Sequence, residues 1–203
     1  MRSIFVAGSI VAALAAAGTS LGFAFVAGDA PQAFVQSGVR DSSRLSFIKL
    51  EGGQFAGFAG QLNLDYEAPK WKADYAKMVD KLEVGKRVRL GKNAWTRLST
   101  DIDVSIGGAE LKPGEYYLCA KRATKDTWAL IAIDSNEIRK AHLDAFQSEE
   151  STGGVDIPLT SQKSEDESEE LSIQFSTNKE TKTHSLDVKF GPFAFTAPVV
   201  AKM

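Results

Sequence analysis

The residue types that could support catalysis or metal binding are few in this chain and lie far apart. Its 203 residues include two histidines, His142 and His184, and one cysteine, Cys119. Neither histidine belongs to an HxH or HExxH pattern, which would place two zinc ligands on one side of a strand or helix. We therefore expect both histidines to lie at the boundary of the core, and we predict no metal site and no cofactor.

Cys119 lies between Leu118 and Ala120 in an apolar run. A lone cysteine cannot form an internal disulfide, and a catalytic thiol requires a nearby histidine and an electropositive, partly exposed setting. The neighbouring residues instead favour a small, buried hydrophobic side chain. The sequence also contains no GxSxG, Walker or CxxC motif, so no motif identifies a nucleophile or a phosphate site.

Acidic residues are concentrated in the segment 164–170, Ser-Glu-Asp-Glu-Ser-Glu-Glu. A calcium-binding loop would place Asp, Asn and Gly at tighter alternate positions, so we expect a solvated loop here. The formal net charge of the whole chain is −2. This balance gives no reason to expect a nucleic-acid partner, which would require a strongly basic surface.

Positive charge is clustered in the segment Lys86–Lys92, and two interpretations of it stay open. Charges on an edge strand discourage the addition of a strand from another chain. Clustered cations also suit an anion or carboxylate site. The candidate binding residues that we select are Arg89 in this segment, Asn93 directly after it, and His184 farther along the chain.

Alternating apolar and polar residues predict the strands that must position these side chains. Between Asn93 and Asp134, four alternating runs are separated by turn residues, including Gly107-Gly108 and Pro113-Gly114. This is the pattern of an antiparallel meander. The segment from Glu51 to Gly60 carries four glycines around two phenylalanines, and we expect it to be a loop whose aromatic rings pack elsewhere.

Two segments change to helical spacing. An amphipathic helix is predicted from Trp71 to Leu82, with its aromatic and methionine stripe facing the core. A second helix is predicted to begin near Asp134, with Ile138, His142 and Phe146 on one face. About nine short strands and two short helices together predict a mostly β fold, an antiparallel β-sandwich with helical insertions.

The N-terminus has the pattern of an export signal, because Arg2 precedes an uncharged apolar run from Ile4 to Ala27. The many Ala and Gly residues favour a cleaved signal, whereas the length also suits an uncleaved membrane tether through residues 4–27. In both cases we expect an extracytoplasmic domain, periplasmic or secreted. The predicted organisation is a signal peptide or anchor at 1–30, a flexible lead-in at 31–44, and a single domain at 45–203.

Three motifs follow one another after the basic segment: Arg89-Leu-Gly-Lys-Asn93, Val104-Ser-Ile-Gly-Gly108 and Pro113-Gly-Glu-Tyr116. Their order and spacing resemble those of the bacterial domain-of-unknown-function family numbered 2911. The resemblance covers about Leu45 to Val199 and is strongest between Arg89 and Ile133.

Two positions depart from the pattern of that family. The family often has a tryptophan before the arginine, where this chain has Val88, and an acidic residue after the asparagine, where it has Ala94. If those positions serve a shared site, this chain lacks part of it. The resemblance implies an exported bacterial β-rich domain and no established activity.

Three functions stay open at this point. The export signal, the β-rich pattern and the missing catalytic motifs favour a non-catalytic domain that binds an unknown ligand or envelope partner, or has a structural role in the cell envelope. The alternative is an extracytoplasmic hydrolase acting on an envelope or extracellular polymer, which would require Arg89, Asn93 and His184 to converge in one pocket. A carbohydrate-binding module would instead require an exposed planar row of aromatic rings. The aromatic candidates are Trp71, Trp95, Trp128 and Tyr117.

Overall fold

Twelve strands, two α-helices and one 3-10 helix make up the fold of the part of the chain that the computed structural model describes, residues 38–163 and 166–202. From Arg40 onward the chain forms one unit. The predicted signal or anchor and the first seven residues of the lead-in, 31–37, lie outside the described residues. Strand β1 begins at Asp41, so the last four residues of the predicted lead-in belong to a strand.

The helices interrupt the run of strands at two places along the chain. The strands are β1 (Asp41–Glu51), β2 (Gln54–Tyr66), β3 (Arg87–Arg89), β4 (Thr96–Thr100), β5 (Val104–Ile106), β6 (Ala109–Leu111), β7 (Gly114–Arg122), β8 (Trp128–Asp134), β9 (Val155–Gln162), β10 (Ser168–Thr177), β11 (His184–Gly191) and β12 (Phe193–Ala201). Helix α1 spans Ala73–Lys81, α2 spans Ser135–Lys140, and the 3-10 helix spans Ala145–Glu150. Strands β3, β5 and β6 have only three residues each, and the twelve strands of the described chain exceed the about nine that the sequence pattern predicts.

The strands form one antiparallel sheet whose main path is β1-β2-β4-β7-β8-β9-β12-β11-β10. Strand β9 pairs with β8 through Val155–Leu159 and with β12 through Thr160–Gln162. The two ends of the path meet, because the backbone N–H of Phe175 on β10 donates a 2.9 Å hydrogen bond to Ser43 Oγ on β1. The sheet therefore nearly closes on itself, and the predicted mostly β, antiparallel class is confirmed.

Alternation along the strands separates an inner face from an outer face. The inner face forms the main core with fully buried aliphatic side chains. They include Leu62, Leu64, Leu98, Leu118, Leu130, Ile157, Ile173 and Leu186. A smaller second core lies on the outer face of β7 and β8, where Cys119, Ile131 and Ile133 pack with Trp95 beneath Ile138 of α2. Both faces of β8 are therefore buried, which explains its nearly continuous apolar sequence.

Helix α1 lies within its predicted limits, but its apolar stripe does not enter the core. No residue of α1 is buried, and Met78 is 64% exposed. Trp71, which precedes the helix, instead packs edge-on against Phe190 of β11 with ring centroids 4.9 Å apart. The predicted core-facing stripe is therefore wrong, because none of the side chains of α1 is buried. No helix of the described chain is long and apolar enough to span a bilayer.

The second predicted helix is divided in two. Asp134 caps α2 by accepting a 2.8 Å hydrogen bond from the backbone N–H of Asn136. The chain then passes through His142 in a left-handed conformation (φ 54°), and a capping box at Asp144 begins the 3-10 helix. His142 and Phe146 are consequently exposed, so the prediction of one continuous apolar face and of His142 as a boundary residue was wrong.

The glycine-rich segment predicted as a loop is a β-hairpin. In the pairing of β1 with β2, Asp41 lies opposite Tyr66 at one end and Glu51 lies opposite Gln54 at the other. The chain turns at Gly52-Gly53, where both φ angles are positive (58° and 80°). Strand β2 shifts register twice near Gly57 and Gly60, as expected for β-bulges. The prediction that its two phenylalanines pack into the protein was wrong, since both rings are exposed to solvent.

Candidate functional site

The candidate residue Arg89 ends β3, and Asn93 lies in the short loop between β3 and β4, two strands that share one edge of β7. Strand β3 pairs with Cys119–Lys121, and β4 pairs with Gly114–Leu118 on the same side. The chain must therefore leave the sheet after β3 and return within a few residues. It does so through two left-handed backbone positions, Gly91 (φ 90°) and Asn93 (φ 58°).

This loop packs on Glu67, a carboxylate that is only 7% exposed. Asn93 Nδ2 donates a 2.6 Å hydrogen bond to Glu67 Oε1, and Lys92 Nζ lies 3.4 Å from the same oxygen. The backbone N–H of Lys92 donates to the Glu67 carbonyl at 2.8 Å. A side chain at Gly91 would place its Cβ 2.8 Å from Thr96 Oγ1. Gly91 and Asn93 thus serve the close packing of the loop.

Arg89 points away from this loop, toward the 3-10 helix. It lies opposite Cys119 on β7, and its guanidinium carbon is 4.0 Å from the ring centroid of Phe146. This is the geometry of a cation–π contact. Arg89 Nη1 is buried and has no hydrogen-bond partner within the described parts of the chain. The Arg89 side chain therefore packs against the 3-10 helix, and its Nη1 donor stays without a described acceptor.

The other cations of the basic segment also contact the region around the 3-10 helix. Lys86 Nζ lies 3.1 Å from a carboxylate oxygen of Glu149. Arg87 donates hydrogen bonds to Ser151 Oγ at 3.1 Å and to the Gly153 carbonyl at 2.7 Å. These contacts fasten the 3-10 helix to β3. The contacts agree with a structural role for the basic segment. They also pair the cations that an anion site would need with groups of the protein itself.

His184 lies at the start of β11, in a different part of the sheet. Its Nδ1 is 2.9 Å from Thr177 Oγ1, and its ring meets Phe47 edge-on with centroids 5.5 Å apart. The ring is partly buried, as expected for a boundary histidine. No described contact joins Arg89, Asn93 and His184, and none of the three lines two clefts of the described chain, of about 620 and 300 Å³.

A metal centre also finds no support in the side chains that the structure describes. No group of three or more His, Cys, Asp or Glu residues among them is arranged to hold a metal ion. Cys119 is fully buried, and burial raises the pKa of its thiol to about 11. It is therefore protonated near neutral pH and inert, in agreement with the predicted structural role.

A family model described as protein of unknown function (DUF2911) matches residues 56–199. The chain belongs to the DUF2911 family. The resemblance inferred from the motifs is thereby confirmed, and the match contains Arg89, Asn93 and His184. No match is found among curated proteins or among solved structures.

The outer face of this DUF2911 chain carries a network of charged side chains. Asp65 on β2 accepts a 2.6 Å hydrogen bond from Arg40 and one of 3.2 Å from Arg97 on β4. Glu115 on β7 bonds to Arg139 of α2 and lies 4.0 Å from Arg97. Burial raises the pKa of Asp65, but the hydrogen bonds and charges of Arg40 and Arg97 outweigh burial and hold this pKa below 3.8.

The aromatic candidates for carbohydrate binding do not form an exposed row. Trp95 is 8% exposed and stacks on Tyr117 with ring centroids 5.4 Å apart. Trp71 and Trp128 are partly buried, against Phe190 and Phe195 respectively. The packing of these rings within the protein agrees with their sequence patterns, which also favour a role in the core.

Four of the ten large apolar side chains that are exposed in the described part of this DUF2911 chain lie together on the β1–β2 hairpin. Ile48, Leu50, Phe55 and Phe58 are 47%, 59%, 60% and 76% exposed. Ile48 pairs with Phe58 and Leu50 pairs with Phe55 across the hairpin, so all four side chains lie on one face. We call these four residues the apolar hairpin. Sequence reasoning missed it: the alternation of Ile48 and Leu50 before a Gly-Gly turn signals a hairpin, but it does not show that the outer face of the hairpin is uncovered.

Proposed function

We propose that the protein is an exported, non-catalytic binding domain that recognises a partner in the cell envelope through the apolar hairpin. One observation carries this proposal: the hairpin exposes four large apolar side chains side by side. Exposed apolar residues are common singly, but contiguous patches on soluble proteins mark binding surfaces. The tip of the hairpin is also open to solvent, because a Cβ atom at Gly52, Gly53 or Gly57 would meet nothing within 4 Å.

The size of the patch agrees with a binding surface. An aromatic side chain buries about 150–250 Å², so Phe55 and Phe58 at 60% and 76% exposure present together roughly 200–340 Å². Ile48 and Leu50 enlarge this area. The largest apolar patch on a typical monomer is about 300–600 Å² and is often functional.

Export is part of the proposal and depends on the N-terminal sequence. Arg2 and the uncharged run from Ile4 to Ala27 support a signal peptide, with a membrane-anchored chain as the alternative.

We also propose that the sheet is arranged as a β-sandwich. The division of β9 between β8 and β12 supports it, since a strand that changes partners can join two packed layers.

Site-specific photo-crosslinking in envelope fractions tests the binding function. A photoreactive phenylalanine analogue is placed at Phe58 and, as a matched control, at Phe146, which is similarly exposed at 69%. We expect adducts with envelope components to form at position 58 and to be largely absent at position 146. The double variant Phe55→Ser/Leu50→Ser should abolish the adducts at position 58. Equal crosslinking at both positions, or none at position 58, would contradict the proposal.

A further inference from the structure

We infer that the partner of the apolar hairpin is the surface of a bilayer that contains anionic lipids. This inference rests on the proposed binding function and adds the chemistry of the partner. It combines the four exposed apolar side chains with a group of arginines that lie on the same outer face of the sheet. Apolar side chains beside cations are what a membrane interface with negatively charged headgroups binds.

The strand geometry places the apolar and basic residues on one face. Along β1, Leu45 and Phe47 are buried, so Arg44, Ile48 and Leu50 point outward. Ile48 lies four positions after Arg44, which corresponds to about 13 Å along the strand. An apolar face that enters the boundary between headgroups and acyl chains reaches about 5–10 Å deep. Arg44 is therefore close enough to meet headgroup phosphates while Ile48 is inserted.

The charge of this outer face suits an anionic surface. Six charged side chains that make the hydrogen bonds of this face, four arginines and two carboxylates, have together a formal charge of +2. These six residues are Arg40, Arg44, Arg97, Arg139, Asp65 and Glu115. Arg44 is exposed and donates a hydrogen bond of 2.7 Å only to the neutral amide of Asn63, so its charge is not compensated by that contact.

The polar residues of the hairpin do not obstruct contact with a bilayer. Lys49 and Glu51 alternate with Ile48 and Leu50 and therefore project to the opposite side of the hairpin. They stay in water when the apolar face meets the membrane. The hairpin is thus amphipathic across its two faces, as a surface-bound element requires.

A second copy of the chain fits this surface less well. A standard protein interface buries about 800 Å² on each partner. The two phenylalanines present roughly 200–340 Å², and two partly exposed aliphatic side chains do not close the difference. Repulsion between two faces of net positive charge would further oppose a symmetric dimer.

A fluorescent probe on the hairpin tests the inference in the full chain. Leu50→Cys receives an environment-sensitive fluorophore, and Met78→Cys on α1, 64% exposed in the native chain, is the control. The native thiol does not compete for the label, because Cys119 is buried with a pKa of about 11. Vesicles of phosphatidylcholine alone are compared with vesicles containing phosphatidylcholine and phosphatidylglycerol in equal parts. An N-terminal tether would bring both probe positions near the bilayer, but only an inserting hairpin would shift the emission of the Leu50→Cys probe.

We expect a blue shift at position 50 on anionic vesicles, a much weaker one on neutral vesicles, and none at position 78. Adding Phe58→Ser should weaken the vesicle affinity about tenfold, the effect of losing one apolar side chain from the bilayer. Adding Arg44→Gln should weaken it about fivefold on anionic vesicles and leave neutral ones unchanged. Inorganic phosphate should produce no shift.

Three results would overturn the inference: no shift at position 50, equal shifts at both positions, or a shift that depends on protein concentration without vesicles. The last result would indicate a second copy as the partner. If photo-crosslinking at Phe58 captures a protein while the vesicle assay is negative, the membrane inference fails and the proposed binding function stands. If both assays are negative, both fail.

Discussion

The side-chain amide of Asn93 donates a 2.6 Å hydrogen bond to Glu67 Oε1, and this carboxylate is 7% exposed. Asn93 has a left-handed backbone (φ 58°), which asparagine tolerates better than most residues. One residue therefore meets two needs of the loop between β3 and β4: the turn conformation and a donor for a buried charge. This relationship gives a structural reason for an asparagine in the Arg-x-Gly-x-Asn motif.

Asn93→Gly should destabilise the protein by about 1.5–3 kcal/mol, because glycine keeps the left-handed backbone but leaves Glu67 without its amide donor. Asn93→Ala should cost about 1 kcal/mol more, since alanine also disfavours the positive φ angle. Urea denaturation of the two variants separates the contributions. A glycine variant as stable as the native chain would show that the hydrogen bond contributes nothing measurable.

Arg40→Gln should raise the pKa of Asp65 toward 3.8, because Arg40 supplies a 2.6 Å hydrogen bond and a nearby positive charge. The native carboxyl has a lowered pKa, so its ionised form stabilises the fold above pH 3.8. That contribution is lost as the pH falls through the lower pKa of the folded state. Arg40 also donates hydrogen bonds to the carbonyls of Asp65 and Trp95, and their loss costs stability at every pH. The loss should therefore be larger at pH 7 than at acidic pH, by up to about 1 kcal/mol.

Carboxyl-carbon NMR titration of Asp65, combined with denaturation at pH 7 and pH 3, checks this prediction. Arg44→Gln is the matched control, because Arg44 bonds to Asn63 and makes no described contact with Asp65. An Asp65 titration that is the same in native protein and Arg40→Gln would contradict the assigned cause. A shift of equal size in Arg44→Gln would indicate a general charge effect instead.

Much of the strand arrangement follows from local sequence. In β5 and β7, apolar residues alternate with polar ones and turn residues separate the runs, so the pattern by itself assigns Val104, Ile106 and Leu118 to the core, where all three are buried. The turn at Gly107-Gly108 needs two positive φ angles, and the glycines provide them at 59° and 86°. These features depend on neighbours along the chain, which is why the sequence reveals them.

The remaining features depend on contacts between distant residues. The hydrogen bond from Asn93 joins residues 26 positions apart, and nothing near Asn93 identifies Glu67 as its acceptor. Likewise, the alternation of Ile48 and Leu50 predicts a strand, but periodicity cannot tell whether anything covers its outer face. The charged network around Asp65 was missed for the same reason, since its members come from separate elements of the sheet and from α2.

Gly191→Ala should strongly destabilise the fold, because the added methyl group would overlap the indole ring of Trp71 at a position with φ 55°. We expect about 1 kcal/mol from the backbone conformation and about 1–3 kcal/mol more from overpacking. Gly153→Ala is the matched control, since Gly153 has φ 65° and no atom within 4 Å of the added carbon. Thermal or urea denaturation should therefore separate the two variants. Similar losses in both would mean that Trp71 moves aside without cost.

The free energy of unfolding should fall less between pH 9 and pH 11 in Cys119→Ala than in the native chain. Burial raises the pKa of the thiol from 9.0 to about 11. The unfolded chain therefore releases this proton at a lower pH than the folded chain, and folding stability falls as the pH rises from 9 to 11. This loss should be about 2 kcal/mol at pH 11 in the native chain and absent from the variant.

The variant itself loses stability at pH 7, because removing a buried sulfur leaves a small cavity beside Ile131 and Ile133. The informative quantity is therefore the difference in unfolding free energy between native chain and variant as a function of pH. Tyrosines and lysines titrate in the same range, but they are common to both proteins and cancel in this difference. We expect the difference to shrink between pH 9 and pH 11. A difference that stays constant over this range would mean that the folded state admits the Cys119 thiolate, and the second core on β7 and β8 would then be open to water.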